Sequence, residues 1–167
     1  ATCNNCGEVR PIYDGWVQIG EDWAFYQEGE MLKDQWMADS AGWCYLGEDG
    51  LMMKNAWIPD SQGLCRVDGS GYMVYNSWIH DGFNWRFVDA KGYVLCNAWQ
   101  LDSFGWCYVG EDGYMYHDTW HTDSQGLCYI GSEGYCEINT WKVYQGKKLY
   151  LDGNGSQVKN TWMQDDT

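Results

Sequence analysis

Residues 99–119 read WQLDSFGWCYVGEDGYMYHDT, and Trp120 follows at once to start the same pattern again. After Gly105 comes a short aromatic strand, Trp106-Cys107-Tyr108-Val109. Gly110-Glu111-Asp112-Gly113 has the composition of a tight turn, and Tyr114-Met115-Tyr116 reads as a second strand. Working outward, the leading tryptophans fall at Trp16, Trp36, Trp57, Trp78, Trp99, Trp120, Trp141 and Trp162, spaced by 20 once and then by 21 six times. Seven units therefore follow one another and an eighth begins at Trp162 and stops at Thr167, so that the seven repeats plus the truncated eighth span residues 16–167. Each unit has a glycine after its turn, at Gly29, Gly50, Gly71, Gly92, Gly113, Gly134 and Gly155, where positive φ costs least.

A longer period lies over the first. The unit from Trp36 matches the unit from Trp99 at 12 of 21 positions and its neighbour from Trp57 at 8 of 21. The string DSQGLC occurs at 60–65 and again at 123–128, three units on. One short hairpin does not stand alone in water, whereas stacked hairpins share a core. The expected fold is all-β: a β-hairpin solenoid of roughly 21-residue repeats with about three hairpins per turn.

Composition agrees. Aromatic residues make up 17% of the chain, with 21 glycines and two prolines, yet mean hydropathy is −0.55. Short aromatic strands broken by turns fit this better than a helical core. A net charge of −14 excludes binding to a phosphate backbone, so no nucleic-acid partner is expected. No apolar run is long enough to form a transmembrane segment.

Eight cysteines, at 3, 6, 44, 65, 96, 107, 128 and 136, suggest disulfides and a secreted or cell-surface setting. Cys44 and Cys65 occupy one position in adjacent units, as do Cys107 and Cys128, so a bridge within each pair is expected. Cys96 and Cys136 are then left to each other or to Cys3 and Cys6. The competing reading is that buried thiols serve as small hydrophobes. Residues 1–15 form an N-terminal arm outside the repeats. Its Cys3-x-x-Cys6 motif supplies only half of a structural zinc site, and no second such motif follows, so no metal is expected.

The unit W-x6-W-x-Y-[LV]-x3-G-x-M resembles the choline-binding, or cell-wall-binding, repeat family. The family's W-Y-Y-[LF] strand appears as Trp43-Cys44-Tyr45-Leu46 and Trp106-Cys107-Tyr108-Val109. The glycine and methionine match at Gly50/Met52, Gly71/Met73 and Gly113/Met115. The resemblance implies a surface module that binds a choline-decorated cell-wall polymer. In such a module the leading and strand tryptophans of one unit and the later strand aromatic of the next enclose a trimethylammonium head, often with a methionine beside it. Carried onto this chain, it implies three grooves: Trp78, Trp85 and Tyr108; Trp99, Trp106 and Tyr129; Trp16, Trp23 and Tyr45; with Met52 and Met115 as candidate lining residues. The groove of Trp36 and Trp43 would meet Arg66 and is expected to be poor, while Leu64 in the groove of Trp57 and Phe87, and Leu127 in that of Trp120 and Tyr150, leave only two aromatics in each.

Aromatic faces attract a quaternary ammonium at about 0.5–2 kcal/mol each, and the cation needs no hydrogen bonds there. Related glucan-binding repeats hold carbohydrate on the same scaffold, and Gln62, Gln125, Arg66 and Arg86 would suit a sugar or other glycan. A third reading is a disulfide-braced spacer or protein-binding rod, and an open solenoid end offers a surface for a homodimer. His80, His117 and His121, with Asp118 and Asp123 near the last two, are metal-ligating residue types, but their strand–turn setting suits exposed turn residues. No nucleophile motif is present. The sequence reads as a binding module without a cofactor and not as an enzyme.

Overall fold

The computed structural model describes residues 13–159, which contain strands, turns and no helix. In chain order the strands are β1 (Gly15–Ile19), β2 (Asp22–Gln27), β3 (Glu30–Met31), β4 (Gln35–Ala38), β5 (Trp43–Leu46), β6 (Ala56–Pro59), β7 (Leu64–Val67) and β8 (Ser77–His80). They continue as β9 (Trp85–Val88), β10 (Ala98–Leu101), β11 (Trp106–Val109), β12 (Thr119–Asp123), β13 (Gly126–Ile130), β14 (Thr140–Tyr144) and β15 (Lys147–Leu151). Successive strands pair as antiparallel hairpins, with β3 added to the first. The all-β repeat architecture is thus what the chain adopts. The arm with Cys3 and Cys6, and the eighth unit begun at Trp162, lie outside the described residues.

The hairpins fall one turn earlier than their sequence reading. Within 99–119, Trp99 stands opposite Tyr108 and Leu101 opposite Trp106, so the chain reverses between Leu101 and Trp106. There the Asp102 carboxylate accepts the amides of Phe104 and Gly105 at 2.8 and 3.3 Å, an Asx-type turn that satisfies itself. Asp39, Asp60 and Asp123 make the same turn. The Gly110–Gly113 turn also forms, with Gly113 at φ +76°, but beyond it a single bridge joins Met115 to Val109. The Asp-Ser-x-Gly loop carries turn chemistry as strong as Glu-Asp-Gly, and it gives the leading tryptophan strand a full partner.

Contacts divide the described residues into two compact units, residues 13–77 with 88–94, and residues 78–87 with 95–159. In the first, the segment after each turn reaches back to the preceding hairpin: Met52 N–H donates to Trp23 O at 2.7 Å, Met73 to Trp43 at 2.7 Å and Val94 to Leu64 at 2.8 Å. The second repeats the device, with Met115 donating to Trp85, Cys136 to Trp106 and Gln157 to Leu127 at 2.8–2.9 Å. Each hairpin is stapled through its backbone to the next unit's chain, which satisfies polar groups that an isolated hairpin would leave to water.

The second strand of each hairpin alternates. In Trp43-Cys44-Tyr45-Leu46, Cys44 and Leu46 are fully buried while Trp43 is exposed. The last position of that strand has no exposed surface at Leu46, Val67 and Val88 in the first compact unit and at Val109, Ile130 and Leu151 in the second. Beside it, small buried side chains stand at Ala24, Cys44 and Cys65 in the first and at Cys107 and Cys128 in the second.

Among the described residues the expected disulfides are not formed. None of Cys44, Cys65, Cys96, Cys107, Cys128 and Cys136 is in a disulfide. The reason is directional: the thiols of Cys44, Cys107 and Cys128 donate to a carbonyl on the first strand of their own hairpin, on Met37, Gln100 and His121, at 3.2–3.4 Å. These thiols serve as small core hydrophobes. Burial, with nearby Asp39, Asp60 or Asp102, pushes Cys44 and Cys65 up to about 11 and Cys107 up to about 12. In a chain carrying Cys3→Ser and Cys6→Ser, a disulfide reagent such as DTNB at pH 8 should therefore label exposed Cys96 first. Cys44, Cys65 and Cys107 should react at least about 1,000-fold more slowly than a free thiol until the protein unfolds. Fast native labelling of all three would overturn this account of the core.

Candidate ligand grooves

Antiparallel register puts the leading and strand tryptophans of a unit on one face. Ala38 opposes Trp43 and Leu101 opposes Trp106, so Trp36 and Trp43, like Trp99 and Trp106, sit diagonally across their hairpins. The strand tryptophans Trp23, Trp43, Trp85 and Trp106 are 40–48% exposed. The leading ones are half-buried, and three of them are anchored. Trp16 Nε1 donates to Asp39 Oδ2 at 2.9 Å, Trp78 to Asp102 Oδ2 at 3.1 Å and Trp99 to Asp123 Oδ2 at 2.6 Å.

Asp39 and Asp102, with Asp60 and Asp81 of the equivalent turns, also collect tyrosine hydroxyls. Tyr72 donates to Asp39 at 3.0 Å, Tyr93 to Asp60 at 3.1 Å, Tyr114 to Asp81 at 2.6 Å and Tyr135 to Asp102 at 2.9 Å. These Trp–Asp–Tyr staples went unread in the sequence, although the aspartates and tyrosines each recur at the repeat spacing. For Asp39, Asp60 and Asp123, burial works to raise the carboxyl. Hydrogen bonds from turn amides and from Tyr or Trp side chains outweigh it and hold the group below its usual range. At Asp81 the Tyr114 hydroxyl is the main cause, and the value falls to about 2.

Two of the tryptophan pairs open on cavities. One, of about 440 Å³, is lined by Trp36, Trp43, Asp60, Met73, Tyr75 and Tyr93 among others. Its counterpart three units on, of about 320 Å³, is lined by Trp99, Trp106, Asp123, Cys128, Cys136 and Ser156 among others. The first is the groove that Arg66 was expected to spoil. Instead the Arg66 guanidinium lies over the Trp57 ring at 5.3 Å, and Tyr75 supplies a third aromatic wall.

The sequence-assigned third walls go elsewhere. Tyr45, Tyr108 and Tyr129 meet Trp36, Trp99 and Trp120 of their own hairpins edge-on, with ring centroids 5.1–5.2 Å apart. Lys142 Nζ lies 4.4 Å over Tyr129, and the His121 ring lies 3.9 Å from Tyr108. Trp78 meets Phe87 of its own hairpin, and Trp16 meets Phe25. Met52 and Met115 are buried. A simple pairing rule was the missing signal: the later strand aromatic stands directly opposite the leading tryptophan of its own hairpin, so it belongs there first.

A broader depression of about 630 Å³ is lined by Phe83, Asn84, Tyr114, His117, Trp120 and His121 among others. Both His117 ring nitrogens are engaged there, with Ser132 O at 3.0 Å and Asn84 Oδ1 at 2.9 Å. Among the described residues no three His, Cys, Asp or Glu side chains gather as a metal set.

No family model and no curated protein matches the sequence. Solved structures do. The choline-binding domain of CbpL from Streptococcus pneumoniae is similar at 26% identity and a TM-score of 0.66, over 90% of this chain and 89% of that one. The fold is that of the choline-binding repeat modules. Choline-binding protein F from S. pneumoniae, solved with a tetrasaccharide-pentapeptide peptidoglycan analogue, matches this repeat fold at 25% identity with a TM-score of 0.62. That match covers 92% of this chain and 48% of that protein. The modular autolysin LytC of the same organism shares the choline-binding repeat fold at 23% identity and a TM-score of 0.53, over 89% of this chain and 39% of LytC. The chain thus spans less than half of the two longer proteins.

Proposed function

We propose that this chain is a non-catalytic surface module that captures the trimethylammonium head of choline on a cell-wall polymer outside the cell. The observation that carries the reading is the groove of Trp36, Trp43 and Tyr75, with Met73 beside them. Three aromatic faces and a thioether surround the space, and the one cation along it, Lys91, is exposed to solvent at its rim. That is the environment a quaternary ammonium prefers. The Asp60 carboxylate at its edge and the net charge of −14 add long-range attraction for a cation. Similarity to the CbpL choline-binding domain over most of both chains supports the same class of ligand. Trp16 with Trp23, and Trp78 with Trp85, offer two-walled versions of the groove.

The test is a choline titration followed by tryptophan fluorescence. Saturable quenching is expected in the millimolar range typical of a small cation held by a few aromatic faces. Trp43→Ala should weaken binding by about 5- to 30-fold, one desolvated cation–π face. A chain that ignores choline but responds to a neutral glucan would move the module to the carbohydrate class, where Gln62 and Gln125 would supply the hydrogen bonds.

A further inference from the structure

The tyrosines of the Trp–Asp–Tyr staples stand at 72, 93, 114 and 135, and the next position in that series, 156, is serine. The substitution has a local consequence. In the sister units the tyrosine ring lies over the glycine that opens the aromatic strand. A methyl group built on Gly42 would sit 3.5 Å from Tyr72 Cδ1, on Gly63 3.2 Å from Tyr93 Cδ1, and on Gly105 3.8 Å from Tyr135 Cδ1. Above Gly126, the corresponding glycine, nothing lies within 4 Å. That space is part of the cavity lined by Trp99, Trp106, Asp123, Cys128, Cys136 and Ser156.

One oxygen of the Asp123 carboxylate at its edge, Oδ2, is only half used. Asp39 Oδ2 accepts both Trp16 Nε1 and Tyr72 OH, and Asp102 Oδ2 accepts both Trp78 Nε1 and Tyr135 OH. Asp123 Oδ2 accepts Trp99 Nε1 in the same way, and no tyrosine of this series completes it. The cavity differs from the Trp36–Trp43 groove in the same sense. Cys136 replaces Met73, Ile138 stands where Tyr75 does, and Ser156 replaces Tyr93, so one aromatic wall and one filling ring are gone together.

We infer that this cavity is a binding site for a hydroxyphenyl group, whose ring lies over Gly126 and whose hydroxyl donates to Asp123 Oδ2. The chain itself provides the templates for the pose in its own staple tyrosines. A phenol ring matches the space and supplies the one donor that the carboxylate lacks, and a charged acceptor strengthens that bond. A trimethylammonium has no donor for it. The ligand is either a free phenol or a tyrosine side chain presented on a peptide, and both share this chemistry.

The experiment uses the full chain and p-cresol, with toluene as the ring that lacks the hydroxyl. Binding is read by NMR shifts of the indole N–H of Trp99 and Trp106. Toluene should bind at least about ten-fold more weakly, the loss of one charge-assisted hydrogen bond. Ser156→Tyr restores the intrinsic ring and should weaken p-cresol at least ten-fold. It should leave the choline response centred on Trp43 in place, whereas Trp43→Ala should do the reverse, so failure of either reading is seen separately. Should the tyrosine variant misfold, Asp123→Asn gives a second readout: it keeps an acceptor for Trp99 Nε1 but removes the charge, and should weaken p-cresol several-fold without weakening toluene. N-acetyltyrosinamide and a tyrosine-containing peptide then distinguish a free phenol from a presented side chain. Equal binding of p-cresol and toluene, undiminished binding to the Ser156→Tyr chain, or undiminished p-cresol binding to the Asp123→Asn chain would overturn the inference.

Discussion

Replacing Asp102 with alanine is expected to lower stability by about 3 kcal/mol, roughly the loss of two charge-assisted hydrogen bonds and a turn. The Asp102 carboxylate accepts four groups from three places in the chain. Phe104 and Gly105 amides close its own turn, Trp78 Nε1 arrives from the preceding hairpin, and Tyr135 OH from a later unit. Alanine leaves the indole N–H and the phenol facing a half-buried site with no acceptor, which costs more than the bonds were worth. Asp102→Asn keeps an acceptor and most of the turn, so it should cost less than half as much. Denaturant unfolding of both variants, and of Tyr135→Phe alone and combined with Asp102→Ala, checks the claim. The double variant should be less unstable than the sum of the two by about 1 kcal/mol or more, because Tyr135 and Asp102 share one bond. Strict additivity, or a loss below about 1 kcal/mol for Asp102→Ala, would show the staple to be ornamental.

That staple also marks where sequence reading stopped. The repeat was legible because it is local: a tryptophan at the head of every unit, turn glycines that do adopt positive φ, and a Trp-x-Tyr-Leu strand whose alternation predicts its buried side. The fold class followed from those features. The pairing partner did not, because two turn-forming stretches flank each aromatic strand and composition does not rank them. Once the hairpin closes at Asp102–Gly105 rather than at Gly113, every inference about which aromatics share a groove shifts by half a unit. Tyr108 then belongs to Trp99, and Tyr75, just past Met73, becomes a groove wall.

The cysteines failed for a related reason. Equal spacing in sequence placed Cys44 and Cys65, and Cys107 and Cys128, in equivalent positions, but equivalence is not contact. The thiols of Cys44, Cys107 and Cys128 each donate to a carbonyl of their own hairpin, and Cys128 meets Cys136 rather than Cys107. The argument from cysteine count to an oxidising compartment falls with those bridges. An extracellular setting now rests on the ligand class proposed for the grooves.

Acid should unfold this protein through the same aspartates, and the pH dependence separates them from simple charge repulsion. Asp39, Asp60, Asp81 and Asp123 all have carboxyl groups held below the usual value of 3.8, Asp81 at about 2. A carboxyl depressed in the folded state contributes stability that is fully present above its unfolded pKa. That contribution is lost as pH falls through the folded value. Self-repulsion works in the opposite sense: the chain carries −14 at pH 7 and approaches neutrality near its pI of 4.3, so protonating exposed acids first relieves strain. Thermal melting should therefore rise gently from pH 7 to about 5. Below 4 it should drop steeply, by about 10 °C or more by pH 2.5. Salt at about 0.5 M should flatten the gentle rise, which comes from exposed charges, and leave the steep fall, which comes from groups inside hydrogen-bonded turns. Asp81→Asn removes the most depressed of the four, so that chain should melt lower at pH 7 and lose less between pH 4 and 2.5. A melting temperature that keeps climbing to pH 2.5 would mean that repulsion outweighs the staples, and that the carboxylates hold the turns without holding the fold.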